Sequence, residues 1–253
     1  MIKVFKIGGN VVDNPAKLDS FLTDFAAVEG AKILIHGGGK IATQISKSLG
    51  IETTMIEGRR VTDADTLGVV TMVYAGGVNK DIVSRLQRKG LNIIGLCGAD
   101  GRLIESHKRK ANPIDYGFVG DPYRVNTKLI ETLAEAGYNM VIAPITFDEE
   151  CGLLNTNADT VAATVATALA ANSEVELIFC FEKSGVLRDV NDEDSLIPQI
   201  TREEFAQLKA EGVVADGMLP KLENSFKAID SGVKRVVICS AENIASGRGT
   251  VLL

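Results

Sequence analysis

Two glycine-rich turns, each with a lysine beside it, carry the residue types best suited to chemistry in this chain. The turns are residues 6–10 (KIGGN) and residues 36–40 (HGGGK), and each follows a short apolar run. Consecutive glycines are costly in backbone entropy, so they indicate a positive φ or a close approach to the backbone. Unshielded backbone N–H groups at the start of a helix bind anions. Both turns are therefore predicted to bind anionic groups.

The second turn partly matches two known phosphate-binding patterns. A Walker A loop is excluded, because Gly39-Lys40 is followed by Ile41 instead of Ser or Thr. A dinucleotide fingerprint is formally present as Gly37, Gly39 and Ala42, with Glu57 further along. A nicotinamide-dependent oxidoreductase is therefore kept as an alternative to an enzyme that handles phosphate.

Two lysines occupy positions that an anionic ligand would explain. Lys6 lies within an apolar strand-like run, where burying an unpaired ammonium group is unfavourable. The alternative is that Lys6 extends its ammonium group to solvent. Lys221 follows Pro220 near the start of a helix, with Asp216 as a possible cap, although the helix dipole disfavours a cation there. A bound phosphate would explain Lys221, and a solvated lysine is the alternative.

Two further segments supply groups that bind carboxylates or orient cations. Arg59 and Arg60 precede a predicted helix, and an arginine fork there suits a carboxylate or a phosphate. Asn155, Asn157 and Asp159 crowd the start of another helix, and capping accounts for one of the three. Asp159 is predicted to orient lysines or cations and not to act as a base.

Composition and charge limit the other classes of function. The net charge of −6 argues against a general nucleic-acid or membrane-surface role, and no apolar segment approaches membrane-spanning length. The histidines and cysteines do not cluster, so no metal site is predicted. The four cysteines are expected to be reduced, as in a cytoplasmic protein.

Short apolar runs alternate with helical patterns, which is typical of an α/β protein with buried parallel strands. The fold predicted is a three-layer α/β/α sandwich with a mainly parallel central sheet. Strands are predicted at residues 2–7, 31–36, 91–96, 139–143, 175–181, 234–239 and the terminal TVLL. Helices are predicted at residues 15–29, 38–50, 63–89, 126–136, 157–171, 201–211 and 219–231. Residues 101–120 break the alternation and are predicted to form a β-hairpin that covers a ligand.

Taken together, the motifs resemble those of the amino-acid kinase family and, within it, the N-acetylglutamate kinases. The motifs are KIGGN, HGGG, GRRVT, GFVG, NTNAD, SGVL and DGMLPKL, in that order along almost the whole chain. The resemblance implies the carbamate kinase-like fold of this family. It also implies ATP-dependent phosphorylation of the γ-carboxylate of an N-acylated glutamate, the second step of arginine synthesis.

The resemblance also implies roles for individual residues. Lys6 and Lys221 would stabilise the transferring phosphoryl group, and Asp159 would hold both lysines. Gly38 and Gly39 would bind the reacting carboxylate, while Arg60 and Asn155 would hold the α-carboxylate. The residues implied for the nucleotide are Gly8, Gly9, Glu182, Lys183, Ser184, Gly185, Val186, Leu187, Val213, Val214 and Ala215. Mg²⁺ would accompany ATP without a dedicated protein site.

Organisation and assembly follow from the same resemblance. Residues 1–172 would form a lobe for acylglutamate binding and dimerisation, and residues 173–253 an ATP-binding lobe of the same continuous domain. The chain begins at its first strand, without the N-terminal helix of arginine-inhibited hexameric members, so a homodimer without arginine feedback is expected. The dimer contact is predicted on helix 63–89, which contains Ala75-Gly76-Gly77.

The proposed chemistry is consistent with the residue types present. A glutamate carboxylate, with a pKa of about 4.3, is already ionised at neutral pH, so its attack on phosphorus needs no general base. The reaction needs charge neutralisation and positioning, which lysines and glycine turns provide. Four alternatives remain open at this point: an N-succinylglutamate kinase, another member of the family, the nicotinamide-dependent oxidoreductase, and a non-catalytic sensor.

Overall fold

The computed structural model describes residues 1–214 and 218–253, and a central sheet of eight strands organises the molecule. The strands of the described chain are β1 (Ile2–Ile7), β2 (Lys32–His36), β3 (Met55–Ile56), β4 (Arg59–Arg60), β5 (Ile93–Leu96), β6 (Ile104–Lys108), β7 (Gly120–Val125), β8 (Asn139–Ile142), β9 (Ile145–Asp148), β10 (Gly152–Asn155), β11 (Val175–Phe181), β12 (Gln199–Ile200), β13 (Arg235–Ser240) and β14 (Gly249–Leu252).

Helices connect these strands and cover the central sheet. They are α1 (Gly9–Val12), α2 (Pro15–Ala27), α3 (Gly39–Ser48), α4 (Ala64–Thr71), α5 (Asn79–Arg88), α6 (Thr127–Glu135), α7 (Ala158–Ala170), α8 (Arg202–Ala210) and α9 (Met218–Asp230). None of the helices in the described part of the chain is long and apolar enough to cross a membrane.

The central sheet has the strand order β12-β14-β13-β11-β1-β2-β8-β5. Strands β13, β11, β1, β2, β8 and β5 run parallel to one another, and β14 pairs antiparallel with β13 at one edge. Strand β2 is buried along its whole length, as expected for a parallel strand with helices on both faces. The predicted mainly parallel sheet is confirmed.

Two apolar layers pack against opposite faces of the sheet. One contains side chains of α6, α7, α8 and α9, and the other contains side chains of α2, α4 and α5. Phe21 and Phe25 of α2 are fully buried in the second layer, and Phe226 of α9 is buried in the first. The predicted three-layer sandwich is therefore confirmed.

The predicted hairpin at residues 101–120 is part of a larger structure. Its two strands are β6 and β7, which pair antiparallel. The predicted segment ends at residue 120, which is the first residue of β7. Strands β9 and β10 extend these two into a separate four-stranded sheet of order β10-β9-β6-β7. Within this sheet Glu105 of β6 is buried and forms ion pairs with Arg102 and Arg124.

The predicted helix 63–89 is helical throughout but not uniform. A π-helical segment, Met72–Val78, joins α4 to α5. Gly76 and Gly77 lie in this segment, and glycine weakens the regular α-helical hydrogen-bond pattern. The wider turn buries Val73, Tyr74 and Val78, which pack near the second glycine turn.

Candidate active site

The parallel pairing of β1 with β2 brings the two glycine turns together. Ile7 is in register with His36, and the Gly37 N–H donates a 3.1 Å hydrogen bond to the Ile7 carbonyl. A Cβ added to Gly37 would lie 3.4 Å from the Gly9 nitrogen, so the two turns are in backbone contact. The sequence prediction that a parallel sheet places them side by side is confirmed.

His36 holds the second turn in place from inside the core. It is fully buried, and its Nδ1 donates a 2.7 Å hydrogen bond to the Gly37 carbonyl. Its Nε2 accepts a hydrogen bond from the Asn79 amide at 3.4 Å. Burial lowers the pKa of His36 to about 4, so the imidazole is neutral at physiological pH. His36 is therefore a structural support for the turn.

Gly38 requires glycine for both conformation and space. Its φ is 152°, and an added Cβ would lie 3.1 Å from the ring of Tyr74. Gly39 then begins α3, whose first N–H groups point toward the turn. The backbone at Gly38 and Gly39 is thus left uncovered for a small anion.

Lys6 and Asp159 form the charged centre of the site. The Lys6 ammonium lies 2.8 Å from Oδ1 of Asp159, and Lys6 is only 8% exposed. Asp159 lies in the first turn of α7, where the Asn157 side chain caps the helix by accepting the Thr160 N–H. The carboxylate pairs with the buried ammonium group and fixes its position.

Lys221 approaches the same centre from the first turns of α9. Its Nζ lies 3.8 Å from the centre of the Phe181 ring, and the Lys6 Nζ lies 5.5 Å from that centre. Burial lowers the pKa of Lys221, and the charge of Lys6 lowers it further. The charges of Asp159 and Glu182 oppose this shift. Two ammonium groups therefore lie against one aromatic ring, beside a single carboxylate.

Arg60 and Asn155 form the opposite wall. Arg60, on β4, is 8% exposed and donates from Nη2 to the Gly39 carbonyl (2.9 Å) and to the Thr43 hydroxyl (2.8 Å). Asn155, at the end of β10, donates a 3.0 Å hydrogen bond to the Thr62 hydroxyl. These bonds fix both side chains before any ligand binds.

Two cavities meet at these residues. The larger is a cleft of about 850 Å³, and the smaller has a volume of about 230 Å³. Lys221 and Glu182 line the larger cleft, and Lys6 and Asn155 line the smaller cavity. Five residues line both: Gly8, Gly9, Gly39, Met55 and Arg60. The arrangement suits two ligands that meet over the first glycine turn.

The predicted nucleotide segment is only partly at the cleft surface. Glu182, Lys183 and Gly185 line the larger cleft. The Ser184 hydroxyl instead donates a 2.6 Å hydrogen bond to Glu193. The remaining predicted positions include three with buried side chains, Val186, Leu187 and Val214, and one that is half-buried, Val213. Ala215 and Asp216 lie outside the described residues.

Several lining residues carried no clear sequence signal. Tyr74 and Arg109 line the smaller cavity, while Asn10 and Lys40 line the larger cleft. Tyr74 lies in a run of helical residues that reads as core, and burial raises the pKa of its phenol. Arg109 was one of three basic residues in the hairpin that could equally have been solvated. Lys40 was visible only as the end of the HGGGK turn.

The amino acid kinase family matches residues 1–240, almost the whole chain. The chain belongs to the amino acid kinase family, as its motifs predict. This membership favours a kinase with ATP as co-substrate over the dinucleotide-dependent oxidoreductase that Gly37, Gly39 and Ala42 left open.

Several relatives are similar over nearly their full length. The chain is 53% identical to an acetylglutamate kinase of Phocaeicola vulgatus over 99% of this chain and 98% of the relative. It is 54% identical to an acetylglutamate kinase of Bacteroides thetaiotaomicron over 98% and 97% of the two chains. A Methanopyrus kandleri acetylglutamate kinase is 39% identical over 99% and 100%.

Solved structures share the fold at lower identity. An N-acetylglutamate synthase from Neisseria gonorrhoeae has a TM-score of 0.81 at 20% identity, over 99% of this chain and 59% of that chain. A carbamate kinase from Giardia lamblia bound to AMP-PNP has a TM-score of 0.71 at 14% identity, over 100% and 98%. The carbamate kinase-like fold predicted from the sequence is confirmed.

Proposed function

We propose that this protein catalyses the ATP-dependent phosphorylation of the γ-carboxylate of N-acetyl-L-glutamate, the second step of arginine biosynthesis. The observation that carries the proposal is the pair of lysines, Lys6 and Lys221, beside Asp159 where two cavities meet. The names of the relatives agree with the activity predicted from the sequence.

The smaller cavity is assigned to the acylglutamate. Its γ-carboxylate binds to the backbone N–H groups at Gly38 and Gly39, which line this cavity at the start of α3. The α-carboxylate binds to Arg60 and Asn155 at the opposite wall. Arg60 donates to Gly39, Thr43 and Thr53, and these bonds use three of its five N–H donors, so two remain for a carboxylate.

The larger cleft is assigned to ATP, with the phosphates toward Gly8 and Gly9 and the base toward residues 182–187 and 213–214. At the buried positions, contact with the base comes from the backbone. Mg²⁺ arrives on the nucleotide phosphates, because the groups at the cavity junction are mostly cationic. Three-residue clusters of metal-binding side chains are absent from residues 1–214 and 218–253.

The roles of the charged residues follow from the chemistry. The acceptor carboxylate is ionised at neutral pH, so the chain needs no base to activate it. Lys6 and Lys221 neutralise the oxygens of the phosphoryl group as it passes between the two ligands. Asp159 holds Lys6 by a direct ion pair and Lys221 through longer-range attraction. The N-acyl group prevents the activated γ-carboxylate from cyclising with the α-amine.

The direct test is ATP-dependent formation of an acyl phosphate, trapped as the hydroxamate with hydroxylamine. N-acetyl-L-glutamate is expected to give product and free L-glutamate none. No product from any N-acylated glutamate would contradict the proposal and favour another member of the family or a sensor.

A second candidate substrate, N-succinyl-L-glutamate, is supported by Arg109 at the smaller cavity. A succinyl group carries a distal carboxylate that an arginine fork would bind. Arg109 is already paired with Asp121, so this carboxylate would have to compete for the fork. The same trapping assay separates the two substrates, since a succinyl-specific enzyme would show much higher turnover with the longer acyl group.

The division into lobes is also a proposal. Residues 1–172 contain Lys6, Arg60 and Asn155, and they form the lobe for acylglutamate and dimer contacts. Residues 173–253 contain Glu182 and Lys221, and they form the ATP lobe. The central sheet runs through both, with β1 of the first lobe paired with β11 of the second.

The protein is further proposed to form a homodimer through helix 63–89. Met72 in its π-helical segment is 59% exposed, and an apolar groove beside it is lined by Ile41, Ile45 and Gly77. Sedimentation at micromolar concentration is expected to show a dimer. Met72→Glu should shift it to the monomer, whereas Val190→Glu, at an exposed apolar residue outside the groove, should not. A wild-type monomer would contradict the proposal.

A further inference from the structure

Lys40 is a cation in the larger cleft to which the assignments above give no role. It is the second residue of α3, directly after Gly39 of the second glycine turn. Its ammonium group donates a hydrogen bond to the Asn10 side chain, in α1 directly after Gly8 and Gly9. Lys40 therefore bridges the two glycine turns, and both it and Asn10 line the cleft.

A buried acid lies behind the first turn. A Cβ added to Gly9 would lie 3.2 Å from Oδ2 of Asp13, so this carboxylate packs against the turn. Both carboxylate oxygens of Asp13 are buried without a hydrogen-bond partner among the residues the structure describes. Burial raises the pKa of Asp13, and the positive charge of Lys40 acts in the opposite direction. Without Lys40, an ionised Asp13 would repel any anion at Gly9.

The helix dipole disfavours Lys40 at its position in α3. The N-terminus of a helix carries a partial positive charge, so a lysine in the first turn is disfavoured. Another lysine of the same helix, Lys47, lies in the last turn, where the helix dipole favours it. A phosphate group bound over the glycine turns would attract the Lys40 ammonium group, which the helix dipole alone repels.

We propose that Lys40 is a phosphate-binding residue for the nucleotide, held over the first glycine turn by Asn10 so that its ammonium contacts the terminal phosphates of ATP. The inference rests on the proposed function. It adds a third cation to Lys6 and Lys221, at the other wall of the cleft. It predicts that Lys40 discriminates between nucleotides by their phosphates and not by their base.

The test is titration calorimetry of ATP, ADP and AMP with the wild-type protein, Lys40→Met and the matched control Lys47→Met. Loss of one charge-assisted hydrogen bond to phosphate should weaken ATP binding by about tenfold or more. AMP binding should change by less than about twofold, because its single phosphate lies away from Lys40. Lys47→Met should bind all three nucleotides as the wild type does. Unchanged ATP binding in Lys40→Met would overturn the inference.

A double variant distinguishes phosphate contact from simple neutralisation of Asp13. If Lys40 only compensated for Asp13, then Lys40→Met combined with Asp13→Asn would regain wild-type ATP affinity. The proposal predicts that ATP binding by the double variant stays weak, while Lys40→Arg retains most of the wild-type affinity. Full recovery in the double variant would overturn the inference. Thermal unfolding of each variant checks that it is folded.

Failure of the inference and failure of the proposed function give different results. If the wild type binds ATP and forms acyl phosphate but Lys40→Met does so equally well, only the inference falls. If the wild type neither binds ATP nor forms acyl phosphate, the proposed function falls and the inference falls with it.

Discussion

The smaller cavity and the larger cleft of this protein are built in different ways. Lys6, Arg60 and Asn155 around the smaller cavity are each at most 9% exposed and are fixed by ion pairs or hydrogen bonds. In the larger cleft, Glu182 and Lys183 are exposed, and Lys183 is paired at 3.2 Å with the exposed Glu193. The side chains of the smaller cavity are pre-organised by burial, whereas the charged side chains Glu182 and Lys183 of the larger cleft are exposed to solvent.

This difference indicates where selectivity arises. Buried polar groups that are aimed into a cavity reject a ligand that leaves them unpaired, so the smaller cavity should discriminate strongly between acceptors. Exposed charges are screened by water and salt, so the outer part of the cleft should tolerate substitution. The predictions below test this contrast, beginning with the largest expected effect.

Lys6→Ala should have the largest effect, because it removes a buried charge from the phosphoryl path. We expect turnover to fall by about three orders of magnitude, since the lysine acts mainly on the transition state. Steady-state kinetics with saturating ATP and N-acetyl-L-glutamate measure this effect. Lys3→Ala, on the same strand but outside both cavities, should keep wild-type turnover. A Lys6→Ala enzyme with wild-type turnover would refute the assigned role.

Arg60→Lys should chiefly weaken acylglutamate binding. The Arg60 guanidinium group can donate to Gly39 and Thr43 and bind a carboxylate at the same time. A lysine ammonium group lacks this planar geometry. We expect the KM for N-acetyl-L-glutamate to rise by about a hundredfold, with a much smaller change in the KM for ATP. Arg88→Lys, on the exposed end of α5, is the control. Equal changes in both KM values would contradict the assignment of Arg60 to acylglutamate binding.

His36 should make the free energy of unfolding depend on pH in the acid range. Its pKa is about 4 in the folded protein, below the unfolded value of about 6.5, so the unfolded state binds the proton first as pH falls. The stabilising contribution is complete above pH ~6.5 and is lost as the pH falls toward ~4. We expect a loss of about 2 kcal/mol between pH ~7 and ~5.

Urea unfolding at several pH values measures this loss. His36→Gln removes the titrating group and should flatten this part of the pH dependence, even if the variant is less stable overall. An equally steep dependence in His36→Gln would assign the acid sensitivity to other residues.

Lys183→Ala should have the smallest effect, because its side chain is exposed and its ion pair with Glu193 is at the surface. We expect the KM for ATP to change by about twofold to threefold, with the KM for acylglutamate unchanged. Kinetics at low and high salt measure the effect. A loss comparable to that of Lys6→Ala would abolish the contrast between the two regions.

The same contrast explains what the sequence predicted well. Strand β2 and its HGGG turn combine an apolar run, Ile33–Ile35, with consecutive glycines, so both the buried strand and the glycine turn were evident. The apolar neighbours of Lys6 favoured an anionic partner, and its ammonium group is paired with Asp159. The adjacency of the two turns followed from the parallel sheet, since the ends of neighbouring parallel strands meet at one edge.

Features that depend on distant contacts were not evident. The hairpin of β6 and β7 was expected, but its extension by β9 and β10 into a four-stranded sheet was not. Tyr74 reaches the second glycine turn only because a π-helical segment widens the helix there. The tether between Lys40 and Asn10 joins side chains thirty residues apart. None of these follows from local periodicity.

The most direct test of the account is a crystal structure with ADP, aluminium fluoride and N-acetyl-L-glutamate. The account predicts acetylglutamate in the smaller cavity against Arg60 and Asn155, ADP in the larger cleft, and the fluoride group between them in contact with Lys6 and Lys221. A nucleotide in the smaller cavity, or a fluoride group away from both lysines, would contradict it.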